Sequence, residues 1–277
     1  MTLDFHTHGK LAKYLPFSKE YTDWLMSEAL SAGLDAICLT EHFNTQGFDE
    51  VYAYIQDHSD RDGDSFIFNG LRIFPGMETD IKEGGHILSI GPMDAIRELN
   101  RKIEANKKKD SFLPFDSLMS LFAQYPVLVG AAHPFREGGN IPGLPEKSLE
   151  HLDFIDLNGK DIAEDRERTE KLTYEFARRT GKPVVAGSDT HQALQYGCIK
   201  TVFEKNFSTF SAMKEEIQKG AYSIQVHSEA SFKVAAAGLL KRSLKEIDAL
   251  GGDYIAVLLN RNGGESPAVL AAKSRIA

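Results

Sequence analysis

Short apolar or β-branched runs alternate with longer amphipathic stretches along most of this chain. The runs with strand character occupy residues 3–6, 36–40, 71–75, 87–90, 127–132, 154–157, 183–186 and 198–203. Between the first two, residues 19–32 predict a helix with Leu25, Ala29 and Leu30 on one face and Gly33 beyond its end. Residues 166–180 predict another, burying Leu172, Phe176 and Ala177 and stopping at Gly181 ahead of Pro183. A third starts at Ser208, buries Phe210, Met213 and Ile217, and stops at Gly220. About seven strand-then-helix units predict an α/β fold with a parallel sheet closed into a barrel. Residues 229–277 read as helices over 230–250 and 253–260 and then an Ala-rich tail. The expected organisation is a barrel over 1–227 with a C-terminal helical appendage, 228–277, packed on it.

Composition narrows the class. The 277 residues are 42% hydrophobic and 26% charged, ordinary for a soluble globular protein. No apolar run reaches the roughly 18 residues that a bilayer-crossing helix needs. The start, Met1-Thr2-Leu3-Asp4-Phe5-His6, has no basic leader followed by an apolar stretch, so no secretory signal is expected. Cys38 and Cys198 sit inside apolar runs and make no disulfide framework, which points to the cytoplasm. A net charge of −8, from 32 basic and 40 acidic residues, disfavours long nucleic acid and leaves small anionic substrates open. The basic stretch over 97–109 reads as a solvated helix end and loop.

The histidines carry the chemistry. Of nine, His6, His8, His42, His86, His133 and His191 fall at or just after a strand run, joined there by Asp4, Glu41, Glu78 and Asp189. In a barrel, strand ends and βα loops share one rim, so residues far apart in sequence converge. Imidazole and carboxylate together suit Zn²⁺, Mn²⁺ or Fe²⁺, and no cysteine lies near enough for a thiolate site. Taken singly, a His-x-His, a solvent-facing Glu or a strand-edge His is commonplace. Their recurrence at one strand terminus after another is not. His58, His151 and His227 lack acidic partners and read as structural, as does Trp24 on the first helix.

Asp4-Phe5-His6-Thr7-His8, Thr40-Glu41-His42, Gly76-Met77-Glu78, Ala132-His133-Pro134 and Gly187-Ser188-Asp189-Thr190-His191 resemble the ordered motifs of the polymerase-and-histidinol-phosphatase (PHP) superfamily. The resemblance runs over about residues 2–204. It implies a distorted seven-stranded (β/α)7 TIM-like barrel holding two or three divalent ions and hydrolysing phosphate esters. Carried over by motif, His6 and His8 would share one ion with Glu78 and Asp189. Glu78 would bridge to a second held by His86 and His133, while His42 and His191 would serve the remaining position. Glu41 stands where the family usually has Asp, and Glu41 and Asp189 are the implied catalytic carboxylates. Beyond His8 the chain reads Gly9-Lys10-Leu11-Ala12-Lys13-Tyr14, without the further ligand many members have.

Paired divalent ions suit in-line displacement at phosphorus by a metal-activated water. Lys10, Arg136 and Lys160 are candidate substrate cations, with Arg able to hold a phosphate bidentately. The expected substrate is a small phosphomonoester, such as histidinol phosphate or a nucleotide. Two other readings compete. An amidohydrolase-type barrel also opens on His-x-His and closes on a late Asp, but it needs a strand-borne Lys, and Glu78 takes that bridging place here. A non-catalytic metal-bound module would be marked by lost ligands, and nearly all are present.

Overall fold

Alternation along each strand divides the apolar residues between two clusters. Leu3, Phe5, Ala36, Cys38, Phe74, Leu88, Phe154 and Val185 pack together inside the sheet. Ile37, Leu39, Ile73, Ile87, Val129 and Ile155 face the other way, against the helices. Burial on both faces is why these strands read as continuous apolar runs.

The computed structural model describes residues 1–260. Its strands are β1 (Thr2–Thr7), β2 (Ala36–Leu39), β3 (Asp60–Asp62), β4 (Ser65–Phe68), β5 (Leu71–Asp80), β6 (His86–Ile90), β7 (Leu128–Ala132), β8 (Phe154–Asn158), β9 (Val184–Gly187), β10 (Ile199–Phe203) and β11 (Tyr222–Val226). The helices are α1 (Lys19–Ser31), α2 (Phe48–Asp57), α3 (Met93–Lys102), α4 (Phe115–Phe122), α5 (Glu146–Leu149), α6 (Gly159–Glu164), α7 (Arg166–Thr180), α8 (Phe210–Lys219), α9 (Ala230–Ala249) and α10 (Tyr254–Leu258).

The strands join in the order β11-β10-β1-β2-β5-β6-β7-β8-β9, with the β3–β4 hairpin attached to β5. The ends of this sheet curl towards each other. The Asp189 N–H donates to the His6 carbonyl at 2.7 Å, and the His8 N–H donates to the Thr190 carbonyl at 2.9 Å. Below them the Ala186 N–H donates to Thr201 Oγ1 at 2.8 Å, so β9 meets both β1 and β10. The result is an α/β fold around a nearly closed, barrel-shaped sheet.

Two expectations need correcting. The sheet has eleven strands rather than seven, and it is mixed rather than parallel. β1–β2, β2–β5, β7–β8 and β8–β9 pair in parallel, whereas β6 runs antiparallel to both β5 and β7. The reason is chain length. A parallel return needs a crossover of about a dozen residues or more, and only residues 81–85 separate β5 from β6. β10 likewise runs antiparallel to β1, and β11 to β10.

Helix positions follow the amphipathic pattern closely. Ser18 caps α1 by accepting from the Tyr21 N–H, and Leu25 and Ala29 are fully buried. Leu30, expected on that face, is exposed, because Ala29 and Leu30 point about 100° apart on a helix. α7 and α8 end at Gly181 and Gly220, both in the left-handed region with φ of 68°. Leu172 is only half-buried beside buried Phe176 and Ala177. Phe210, Met213 and Ile217 of α8 close one end of the inner cluster. The helices expected after residue 229 appear as α9 and α10, and the Ala-rich tail lies outside the described residues. No helix among the described residues is long and apolar enough to cross a membrane.

Inside the barrel there is no spare room opposite Phe154. A Cβ placed on Gly130 would run into the Phe154 ring. Gly130→Ala is therefore expected to lower the unfolding free energy by about 1–3 kcal/mol, the usual cost of overpacking. Urea denaturation of the two proteins checks this, and an unchanged midpoint would contradict the packing described.

Candidate metal centre

The same alternation that fills the barrel with apolar side chains carries polar ones to its other end. On the face that holds Phe74, β5 continues through Gly76 to Glu78, and the face of β8 that holds Phe154 continues to Asp156. β6 is antiparallel, so its first residue, His86, lies at the rim where parallel strands finish. His6 is the next-to-last residue of β1 with His8 just beyond the strand, Glu41 and His42 follow β2, His133 follows β7, and Asp189 and His191 follow β9. His133 and Asp189 have φ of 29° and 57°, in a region L-residues rarely adopt. Each such residue costs about 1–3 kcal/mol and persists only where its surroundings impose it.

Glu78 is the hub. His42 Nδ1 and His86 Nδ1 lie 2.7 Å and 2.6 Å from its carboxylate oxygens. His133 Nε2 is at 3.1 Å, and the Nε2 atoms of His6 and His8 are both at 3.4 Å. Burial alone would raise the Glu78 pKa, but His42, His86 and His6 hold it well below the usual carboxylate range. A second carboxylate, Asp189, has Oδ1 at 3.3 Å from His8 Nε2, 3.8 Å from His191 Nε2 and 4.0 Å from His6 Nε2. Its Oδ2 is held by Lys160 at 2.9 Å and Arg136 at 2.8 Å. Against the effect of burial, those two cations keep Asp189 well below its ordinary pKa.

The imidazoles are oriented from behind. His6 Nδ1 lies 3.1 Å from Asp156 Oδ2, and His191 Nδ1 lies 3.0 Å from the Lys10 carbonyl. With those nitrogens donating, both Nε2 lone pairs face the cluster, the usual arrangement behind a metal-bound histidine. Burial lowers the pKa of His42 and of His133 to about 4, and burial with neighbouring His8 and Lys241 carries His191 well below its ordinary value. Neutral imidazole is the form that binds a metal. His86, between Glu78 and Asp80, is instead pushed up to about 9 despite its burial.

The donor set fits divalent ions. His6 Nε2, both nitrogens of His8, His42 Nδ1 and Glu78 Oε2 are buried without a hydrogen-bond partner. Orphaned polar atoms at this density are costly unless something binds them. Three overlapping groups bring ligand atoms within 4.8 Å of one another: His6 with Glu78 and His133, His6 with His8 and Asp189, and His8 with His42 and His191. His86 joins through Glu78.

Other candidates take different places. Glu41 is buried, accepting from the Gly9 N–H at 3.0 Å and the His42 N–H at 3.1 Å, with Oε1 3.7 Å from His8 Nδ1. It braces the turn and His8. Lys10, expected to meet substrate, is buried with its ammonium on Thr45 Oγ1 and the Gln46 carbonyl, fastening its own loop. Arg136 has all three nitrogens engaged, on Asp161, Asp189 and Asn158. Tyr14 is exposed, with Lys245 of α9 over its ring. His58, His151 and His227 are exposed, and Cys38 and Cys198 are buried free thiols.

Three residues escaped the sequence reading. Asp80, at 2.9 Å from His86 Nε2, lies two residues beyond Glu78 on the same strand face. Asp156 lies two beyond Phe154, so alternation could have found both. Lys241 of α9 had no local signal. It is partly buried, and burial with Lys160 nearby lowers its pKa to about 8.

Asp4 lies behind the cluster, not in it. Its Oδ1 accepts from the Ser188 N–H at 2.9 Å and the His6 N–H at 3.1 Å, and burial raises its pKa to about 7. A carboxyl that holds its proton more tightly when folded loses stability as pH rises from the unfolded value to the folded one. Asp4→Asn keeps the accepting oxygen and removes that penalty. In metal-stripped protein it should gain stability relative to wild type between pH 4 and 7, reaching about 4 kcal/mol above pH 7. Denaturation curves across that range check it, and a pH-independent difference would contradict the assignment.

Residues 170–222 match the PHP-associated family, a segment that includes β9, the Gly-Ser-Asp-x-His motif and β10. No curated protein matches the chain. Among solved structures, PsfC from Pseudomonas syringae PB-5123 is similar at a TM-score of 0.71 and 20% identity, over 88% of this chain and 98% of that one. The lesion-specific endonuclease EndoQ from Pyrococcus furiosus is similar at a TM-score of 0.59 and 18% identity, over 80% of this chain but only 57% of the endonuclease. An endonuclease Q bound to a 27-mer duplex with an abasic lesion is similar at a TM-score of 0.58 and 19% identity, over 81% of this chain and 58% of that one. At these identities the structures share the fold. Beyond the fold, the PHP-associated match over residues 170–222 agrees with the PHP resemblance carried by the Gly-Ser-Asp-x-His motif.

Proposed function

We propose that this chain is a metal-dependent phosphoesterase, acting on small phosphomonoesters through two or three divalent ions. The observation that supports this best is the Glu78–Asp189 cluster, in which buried lone pairs converge beside two cations. His6, His8, Glu78 and Asp189 are the ligands proposed for one ion, and Glu78, His86 and His133 for a second. His42 and His191, with His8 between them, are proposed for a third. Bound divalent ions supply positive charge for the phosphoryl oxygens and a hydroxide nucleophile at neutral pH.

The chain's own groups divide the remaining work. Among the described residues Lys160 Nζ has one partner, Asp189, and is part-exposed, leaving N–H donors for a non-bridging phosphoryl oxygen. Arg136 is fully engaged, so its role is to hold Asp189 in place rather than to take the phosphate itself. Asp156 fixes the tautomer of His6, and Glu41 fixes the loop that carries His8 and His42. The division into a barrel, 1–227, and a helical extension, 228–277, belongs to the same proposal, with the extension completing the mouth of the site. The fold is also found in an endonuclease Q bound to a 27-mer duplex substrate, so preference for small esters is a claim about this chain's site and not its fold.

The test is a screen of phosphomonoesters, phosphodiesters and small amides with metal-loaded protein. Elemental analysis after loading should find at least two divalent ions per chain, and phosphomonoesters should be cleaved fastest. Asp189→Asn should lower turnover by at least a hundredfold while the melting curve stays cooperative. Hydrolysis of amides alone, or full activity in Asp189→Asn, would refute the reading. Removal of one orienting carboxylate, Asp156→Ala, should weaken ion binding by roughly 10–100-fold, as measured by competition with a chelator of known affinity.

A further inference from the structure

Beside the cluster lies a cavity of about 490 Å³ between α6, the turn Ala193–Gln195 and α9. His191 and Lys160 belong to its lining, so it opens directly onto the proposed reaction centre. Helix α9, outside the barrel, supplies the opposite wall. Ser231 Oγ donates to the Ala163 carbonyl at 2.9 Å and pins the start of this helix to α6.

Three residues of the lining carry donors without acceptors. Lys241 and Arg242 have no hydrogen bond or ion pair among the described residues, although Lys241 is partly buried. Gln192 is 1% exposed, and its Oε1 accepts from the Leu194 N–H while its Nε2 is buried without a partner. Burying an amide N–H in this way costs free energy unless an acceptor arrives. Of the lining carboxylates there is one, Glu164, and it is exposed on α6. Ala235, Ala237 and Gly238 face the cavity with almost no side chain, and the Arg242 guanidinium passes within 3.6 Å of where a Cβ on Gly238 would stand. Glycine in mid-helix is unfavourable by about 0.5–1 kcal/mol relative to alanine, so the space it leaves has a cost.

We propose that this cavity is a second anion subsite, which binds a carboxylate or phosphate carried by the same small molecule whose phosphate ester meets the Glu78–Asp189 cluster. Resting on the phosphoesterase reading, it narrows the substrate class to compact esters with two anionic ends. Lys241 and Gln192 would contact the non-reacting end, and Arg242 would screen it from the rim. Lys160, lining both spaces, would stand between the two charges.

Three esters of matched length test this: propyl phosphate, 3-phosphooxypropanoate and propane-1,3-diyl bisphosphate. Wild type should favour one or both of the two-anion esters in kcat/KM. Lys241→Met should lower that preference by about tenfold or more, the order of one charge-assisted hydrogen bond, mainly through KM, and Lys241→Arg should restore most of it. Loss confined to one ester identifies the favoured anion. Calorimetry with glutarate gives a second readout, with binding weakened about tenfold in Lys241→Met and retained in Lys241→Arg. If no ester is cleaved by wild type but glutarate binding depends on Lys241, the phosphoesterase reading falls and the subsite stands. Equal changes on all three esters, with glutarate binding unaltered or absent, would overturn the subsite. So would loss of affinity in Lys241→Met for a short single-stranded oligonucleotide but for neither two-anion ester, since the cavity would then serve a nucleic-acid phosphate.

Discussion

One buried carboxylate organises the mouth of this barrel. Glu78 stands within 3.4 Å of nitrogens on five histidines, drawn from the ends of β1, β2, β6 and β7. A glutamate there must be ionised to hold them, and the imidazoles must be packed close to keep it so. Neither condition survives alone in a dry interior, where a lone charge is strongly disfavoured. The arrangement explains why the surrounding shell is so fully tied down. Asp156 holds His6, Asp80 holds His86, and the backbone at Lys10 holds His191.

The asymmetry between the two carboxylates has chemical meaning. Glu78 is surrounded by imidazoles and meets no Lys or Arg among the described residues, so its charge is directed at whatever the histidines bind. Asp189 presents one oxygen to His8 and the other to Lys160 and Arg136. It therefore links the ligand cluster to the cationic side of the mouth, where a phosphoryl group and any further anion on the same molecule would lie. The cavity under α9 continues that cationic side away from the histidine cluster.

Most of this was legible in the sequence, for definite reasons. Strands buried on both faces leave apolar runs, and the residues after them mark the rim, so His6, His8, His42, Glu78, His133, Asp189 and His191 could be gathered without coordinates. The strand count could not be gathered that way. Asp60, Arg61 and Asp62 form β3 without one apolar side chain, and β11 alternates Tyr222, Ile224 and Val226 only as a half-buried edge does. The direction of β6 was present in the brevity of residues 81–85, a signal of connection length rather than of residue type. Roles were harder to read than positions. Lys10 looked like a free cation because nothing local reveals that the carbonyl of Gln46 and the hydroxyl of Thr45 come to meet it. Lys241 is some fifty residues beyond the last motif and enters only because α9 folds back over α6.

The seam between β9 and β1 is closed by backbone hydrogen bonds from the residues that also carry the proposed ligands: Asp189 to His6, and His8 to Thr190. The partners in this seam are separated by some 180 residues, among the longest loops the chain must close. Contacts of such high sequence separation form late in folding, because their entropic cost falls due before their reward. The proposed ion site is thus a clasp that exists only once the two ends of the sheet have met. Interactions made after the transition state slow unfolding far more than they hasten folding. Ions captured at this clasp would lengthen the lifetime of the folded chain and leave its rate of formation nearly untouched.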